Sequence, residues 1–274
     1  MSPIHGVRVA IIGAGKMGET LLSSLLRAGK PTAELLATVR RAERAEELRA
    51  RYGIEVPSTA EAAKVADLLV LAVKPQDMSA LLESLGHIVA TDRLIVSIAA
   101  GIPTIFIERH LPAGTPVVRV MTNTPALVDQ AMSAISGGTH ATAEHLAQAE
   151  ELLRPLGKTI RVPESQQDAV TALSGSGPAY FYYLVEAMID AGILLGLPRA
   201  VAHDLIVQSA IGSAIMLRDS GEHPVTLREA VTSPGGTTIA AIRELENHAV
   251  RAALLAAVEA ARDRARELAS GNGG

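Results

Sequence analysis

Cysteine and tryptophan are absent from this chain, and its aromatic content is limited to two Phe and four Tyr. The lack of cysteine excludes disulfides, a thiolate nucleophile and any Cys-ligated metal, and it suits a reducing, cytoplasmic setting. So few aromatics leave no stacking platform for single-stranded nucleic acid. The net charge of −4, with no dominant basic patch, argues against nucleic acid or an anionic membrane surface as a partner. No signal pattern stands between Met1 and His5. The longest unbroken apolar runs, such as 68–73 and 252–258, are far too short to span a bilayer. Lysine is missing beyond residue 158, since Lys16, Lys30, Lys64, Lys74 and Lys158 account for every one. Chemistry located there has no Lys available as Schiff-base former or proton donor. His203, His223 and His248 keep no regular spacing to a carboxylate, and no metal-ligand cluster is expected.

With 274 residues the chain has material for two cores. Short apolar runs at 7–12, 35–39, 68–73, 94–98 and 117–120 read as strands, with 134–136 and 159–162 as weaker candidates. They alternate with helical patterns such as 17–28 and 42–52, and their continuous hydrophobicity suits strands covered on both faces of a parallel sheet. Past Pro163 the pattern turns helical, at 165–173, 178–195, 199–220, 226–231, 237–247 and 250–268. The expected fold is therefore α/β over 1–163, a Rossmann-like dinucleotide-binding domain, followed by an all-α domain over 164–274. That second part is rich in Ala and thin, and it would gain from pairing with another subunit. Its small residues Ser209, Ala210, Gly212, Ser213 and Ala214 permit close helix approach.

Ile12-Gly13-Ala14-Gly15-Lys16-Met17-Gly18 joins the first strand to the first helix. Its glycines suit the tight turn, the close approach of a pyrophosphate and the packing of helix on strand that a dinucleotide site needs. An NAD-specific site places an acid at the end of the second strand for the ribose hydroxyls. Here Arg40 and Arg41 stand in that place, and two guanidiniums can grip a 2′-phosphate. The cofactor expected is thus NADPH, with NADH the alternative; the plainer account of the arginines is the start of a charged surface helix. Ala72-Val73-Lys74-Pro75 ends the third strand, where open α/β sheets bind ligands, and Lys74 either touches the cofactor or balances loop charge. Ala99 lies in a small-residue strand end, and Asn123 follows the fifth strand with an amide free for the carboxamide or the substrate.

Val231-Thr232-Ser233-Pro234-Gly235-Gly236-Thr237-Thr238-Ile239 lies near the C-terminus. A Pro-Gly-Gly turn flanked by hydroxyls and opening a helix aims backbone N–H groups at one spot, an anion site for a carboxylate or phosphate. The plainer account is a Gly-rich turn with Thr237 as helix cap. A site without a strong acid or base suits reduction of a ring imine, whose nitrogen can take its proton from solvent before hydride arrives.

These segments, with Arg119-Val120-Met121-Thr122-Asn123-Thr124-Pro125 and Ala172-Leu173-Ser174-Gly175-Ser176-Gly177-Pro178-Ala179-Tyr180, follow one another in an order that resembles the Δ1-pyrroline-5-carboxylate reductases. The resemblance implies NAD(P)H-dependent reduction of that cyclic imine to L-proline, the last step of proline biosynthesis. It implies that Ser233, Gly235, Gly236, Thr237 and Thr238 hold the substrate acid, that Thr238 reaches the ring nitrogen, and that Ser176 belongs to the substrate set. It further implies a homodimer or larger homo-oligomer built from the helical domains. Thr59 stands where the family often carries Asn, and Glu222 stands near an acid that lines the pocket in some members. Two other readings share the constellation: a reductase of another cyclic imino acid, and a non-catalytic NADP(H) sensor.

Overall fold

The computed structural model describes residues 4–271. Seven strands form one sheet: β1 (Val9–Ile12), β2 (Leu35–Thr38), β3 (Leu68–Leu71), β4 (Leu94–Ser97), β5 (Val117–Met121), β6 (Ala131–Gly137) and β7 (Gly157–Arg161). Their order is β2-β1-β3-β4-β5-β6-β7, parallel at every pair except the antiparallel β5/β6. All four residues of each of β1 to β4 are buried, which is why their sequences read as unbroken apolar runs. Alternate residues feed two separate cores. Val9 and Ile11 pack with Leu21, Leu22 and Leu25 on one face, whereas Ala10 and Ile12 pack with Leu69, Leu82 and Leu85 on the other.

The connecting helices are α1 (Lys16–Arg27), α2 (Ala42–Tyr52), α3 (Thr59–Val65), α4 (Met78–Leu85), α5 (Thr104–Glu108) and α6 (Ala143–Leu153). Of these, α3 to α6 were not anticipated from the sequence. The first three of them are short, and only α3 and α6 carry a capping box, from Ser58 and Thr142. Strand order reverses between β1 and β3, so the loops after these two strands flank a switch point at their C-terminal ends.

The chain separates into two compact units, one running to Ser176 and including the stretch from Ala261, the other Gly177–Ala260. The residues just after Pro163 belong to the first. Glu164–Gln166 forms a 3₁₀ turn, α7 (Gln167–Val170) follows, and Thr171–Gly175 is a π-helical turn. Gln167 is fully buried and donates to Ser136 Oγ at 2.7 Å, which anchors this stretch to β6. One continuous helix over 165–173 was expected; three short helices of different pitch stand there instead.

The second unit carries α8 (Gly177–Leu194), α9 (Arg199–Asp219), α10 (Pro224–Ala230), α11 (Thr237–Asn247) and the start of α12 (Val250–Gly271). Within it α8 and α9 approach closely at Gly192, where a side chain would meet Ala202 Cβ at 2.7 Å. At Gly212, among the small residues of α9, a Cβ would meet nothing of this chain within 4 Å. Ala202 is the one buried residue among those described between Gly177 and Ala260. Tyr183, Leu194 and Leu195 are 72 %, 88 % and 84 % exposed. By length and mean hydropathy α9 is apolar enough to cross a membrane. Counting unbroken runs overlooked it because His203, Asp204, Gln208 and Ser209 interrupt its apolar stretches.

Candidate active site

At the switch point a cavity of about 760 Å³ gathers Ile12, Gly13, Ala14, Gly15, Arg40, Arg41, Ala72, Val73 and Lys74, nine residues expected from the sequence. Gly13 has φ +92, and a Cβ on it would lie 2.8 Å from Val73 Cγ1, so only glycine lets the turn after β1 pass the strand end of β3. Gly18 is equally constrained, with Gly13 O 2.8 Å from where its Cβ would be. Gly15 is different: nothing lies within 4 Å of its missing side chain. It faces open space at the N-cap of α1, where the first-turn amides of Lys16, Met17 and Gly18 have no helical acceptor. The Gly13 and Ala14 amides are already committed to Thr38 O, at 3.1 and 2.9 Å. The amides left available to an anion here are those at the start of α1, a donor set that would fit a dinucleotide pyrophosphate.

Thr38 adds a feature that motif reading missed. Its hydroxyl accepts from Gly13 N at 3.3 Å and from Thr59 Oγ1 at 3.4 Å. Thr59 thereby lines the cavity, placed there by the Ser58–Glu61 capping box that starts α3. Arg44 lines the cavity too. Its hydrogen bond to Glu47, together with the charge of Glu19, raises the pKa of its guanidinium. Glu19 also accepts from Tyr52 at 2.9 Å, and burial followed by that bond pushes the phenol pKa up.

Six of the expected cofactor residues are absent from the cavity lining: Lys16, Met17 and Gly18 in the first turn of α1, and Pro75, Ala99 and Asn123. Pro75 opens the 3₁₀ turn Pro75–Asp77 behind Lys74. Ala99 is 4 % exposed and packs in the core with residues of α4 and α5, whereas the next residue, Ala100, is exposed. The Asn123 side chain is engaged inside the protein, accepting from Met132 N at 3.1 Å and donating to Ser174 O and Oγ at 3.2 and 3.3 Å. It thus ties the end of β5 to the π-helical turn. At Gly175 in that turn a side chain would displace the flexible end of Met121, whose Cε now fills the place. Ser176 follows, its amide donating to Thr171 O at 2.9 Å in the wider π pattern.

In the second unit Ser233–Gly236 forms the turn before α11. Gly235 has φ +67, and Gly236 is the helix N-cap, with Ser233 Oγ filling the space of its absent side chain. Thr237 is therefore not the cap, and no side chain caps α11. The hydroxyls of Ser233, Thr237 and Thr238 have no hydrogen-bond partner among the described residues. They flank first-turn amides that lack helical acceptors. Thr232, two residues into the same segment, is used differently: its hydroxyl donates to Arg228 O at 2.6 Å and closes α10. Glu222 is exposed beside Gly221, its amide donating to Ser220 Oγ at 3.2 Å.

Comparison with known proteins places this geometry. Residues 8–101 match the family described as NADP oxidoreductase, coenzyme F420-dependent. Residues 164–268 match the family described as pyrroline-5-carboxylate reductase dimerisation. The pyrroline-5-carboxylate reductase of Mycobacterium tuberculosis is 44 % identical over 95 % of this chain and 96 % of its own. That of Corynebacterium melassecola is 45 % identical over 95 % and 98 %. Among solved structures, the Coxiella burnetii pyrroline-5-carboxylate reductase superposes with a TM-score of 0.91 at 34 % identity, covering 96 % of this chain and 98 % of that one. The Plasmodium falciparum pyrroline carboxylate reductase, solved with NADP bound, gives 0.85 at 26 % identity with the same coverage. The glycine loop and these matches agree on a nicotinamide dinucleotide as cofactor. Since identity above 40 % extends over nearly the whole chain and nearly the whole of these relatives, the chain belongs to the pyrroline-5-carboxylate reductase family.

Proposed function

We propose that the protein reduces the C=N bond of Δ1-pyrroline-5-carboxylate to give L-proline, using NADPH in preference to NADH. The observation that carries the substrate half is the Ser233–Thr238 turn. Its three hydroxyls are left free by a glycine N-cap, and they stand beside unsatisfied amides as a carboxylate requires. Gly235 and Gly236 let the acid approach the backbone. The Thr238 hydroxyl, half-buried in the first turn of α11, orients the ring nitrogen. A bound NAD(P)H would supply the hydride, which enters at the ring carbon of the C=N bond while the nitrogen carries a proton taken from solvent. This chain's residues position and desolvate; none is asked to act as a strong acid or base.

The preference for NADPH rests on Arg40 and Arg41 at the rim that would face the adenosine ribose, with no acid at the end of β2. Lys74, exposed on the same cavity, adds positive charge toward the phosphates. The experiment is NADPH oxidation followed on addition of Δ1-pyrroline-5-carboxylate and, separately, of its six-membered homologue. Faster turnover of the six-membered ring would redirect the substrate assignment, and no oxidation with either would leave a sensor.

The helical domain, taken to begin at Glu164 where the dimerisation match begins, pairs with a second copy in this reading. Large apolar side chains on α8 and α9 stand exposed and the unit buries almost nothing of its own, which a homodimeric or larger assembly would cover. Light scattering at several concentrations tests this, a monomer throughout being the contrary result.

A further inference from the structure

The acid that β2 lacks at its end arrives from another loop. Asp77 closes the 3₁₀ turn after β3 and passes in helical conformation straight into α4, without a side-chain cap. Both its oxygens turn instead to Arg40, accepting from Nη1 at 3.2 Å and Nη2 at 2.7 Å across the mouth of the dinucleotide cavity. Arg40 is otherwise 82 % exposed, and Asp77 is 29 % exposed. The other two arginines on that rim are placed differently. Arg44 is held by Glu19 and Glu47, and Arg41 has no ion-pair partner among the described residues.

We propose that Asp77 is a specificity-determining residue: its carboxylate competes with the 2′-phosphate of NADPH for the Arg40 guanidinium and so limits the preference for NADPH over NADH. This rests on the reading that the 2′-phosphate is received by Arg40 and Arg41. A guanidinium offers one planar fork, and a carboxylate already seated on it must be displaced, or else kept as a negative neighbour, when a phosphate dianion arrives. The cofactor lacking that phosphate leaves the pair intact. Asp77 therefore opposes one cofactor and not the other.

The test is Kd for NADPH and for NADH, read from nucleotide fluorescence on the intact protein, for wild type, Asp77→Asn, Arg40→Ala and the double variant. Asp77 makes no side-chain cap, so Asn at this position removes none from the start of α4, and an unchanged Tm checks this. The expected result is an Asp77→Asn protein that binds NADPH about 2- to 5-fold more tightly, with NADH essentially unchanged, the range appropriate to a partly exposed ion pair. That gain should shrink in the Arg40→Ala background, where there is nothing left to compete for, and should fade as salt screens the charges. Weaker NADPH binding by Asp77→Asn would mean that the carboxylate braces Arg40 for the phosphate, and would overturn the proposal. An equal change for both cofactors would overturn it too, as would no change for either. The underlying reading fails separately, if Arg40→Ala loses NADPH and NADH alike.

Discussion

Glu164 Oε1 accepts from Arg119 Nη1 at 2.8 Å, and the arginine that reaches it is 4 % exposed in the middle of β5. The same oxygen accepts from Thr104 N at 3.2 Å, at the start of α5. One carboxylate at the beginning of the 3₁₀ turn after Pro163 thus neutralises a buried charge and satisfies a helix-terminal amide. Glu164→Ala strands the guanidinium in the core. Removing one member of a buried pair costs about 3–5 kcal/mol, and the 31 % exposure of Glu164 brings the expected loss to about 2–3 kcal/mol. Urea denaturation of the variant measures it. A midpoint within error of wild type would show that solvent replaces the carboxylate.

Gly15 and Gly13 separate binding from folding. A methyl on Gly13 meets Val73 in a backbone of φ +92, so Gly13→Ala is expected to lower Tm and to bind neither cofactor well. Gly15→Ala adds a methyl where the protein has open space. Its Tm should match wild type while affinity for NADPH and NADH falls together by about tenfold or more, since the methyl occupies the approach to the α1 amides. Normal nucleotide affinity in Gly15→Ala would move the pyrophosphate elsewhere.

Arg41→Ala is expected to weaken NADPH by about 1.5–3 kcal/mol, the worth of a charge-assisted contact, and to leave NADH nearly unchanged. Parallel Kd measurements decide it, with equal loss reducing Arg41 to surface charge.

Thr238→Ala should be the most damaging change in the substrate turn, because a reactant misplaced by about 1 Å can lose roughly 100-fold in rate. Thr232→Ala removes the bond to Arg228 O. It should cost about 0.5–1.5 kcal/mol of stability and leave kcat/KM untouched. Steady-state kinetics beside thermal melts of both variants separates the two roles. A Thr238→Ala enzyme with near-normal kcat/KM would relocate the substrate site.

Acid should loosen the edge of the sheet. Arg161 on β7 donates through Nε and Nη2 to both oxygens of Glu150 on α6, each at 2.7 Å. Those hydrogen bonds hold the carboxyl pKa below its ordinary value of 4.5. The stability they contribute is present above that value and is lost as pH falls through the lowered native one. The difference in urea midpoint between wild type and Glu150→Gln should therefore be seen at neutral pH and close at strongly acid pH. A gap independent of pH would exclude the carboxylate as its source.

What could be read in the sequence follows from where burial is local. Strands β1 to β5 announce themselves because both faces are covered, and α11 spans the expected residues because its apolar period is clean and its start is marked by Gly235-Gly236. The weaker β6 is interrupted by Ser133 and Ser136, both buried and serving internal hydrogen bonds, so polarity there does not signal exposure. The π-helical turn at Thr171–Gly175 has no periodic signature, being set by Met121 against Gly175 and by Asn123 on Ser174. At the cofactor loop the glycines and both arginines are visible as a motif. Asp77 is not, because its meeting with Arg40 spans 37 residues of chain. Asn123 shows the converse: its amide looked available for a ligand until Met132 and Ser174 were brought to it.

The Gly177–Ala260 unit, with Ala202 alone buried among its described residues, has too little dry interior to offset the entropy of ordering its helices. If a second copy supplies the cover, folding of this unit obeys mass action rather than a fixed free energy. Each tenfold dilution then takes about 1.4 kcal/mol from the assembled state, and the melting temperature becomes a function of how much protein is in the tube.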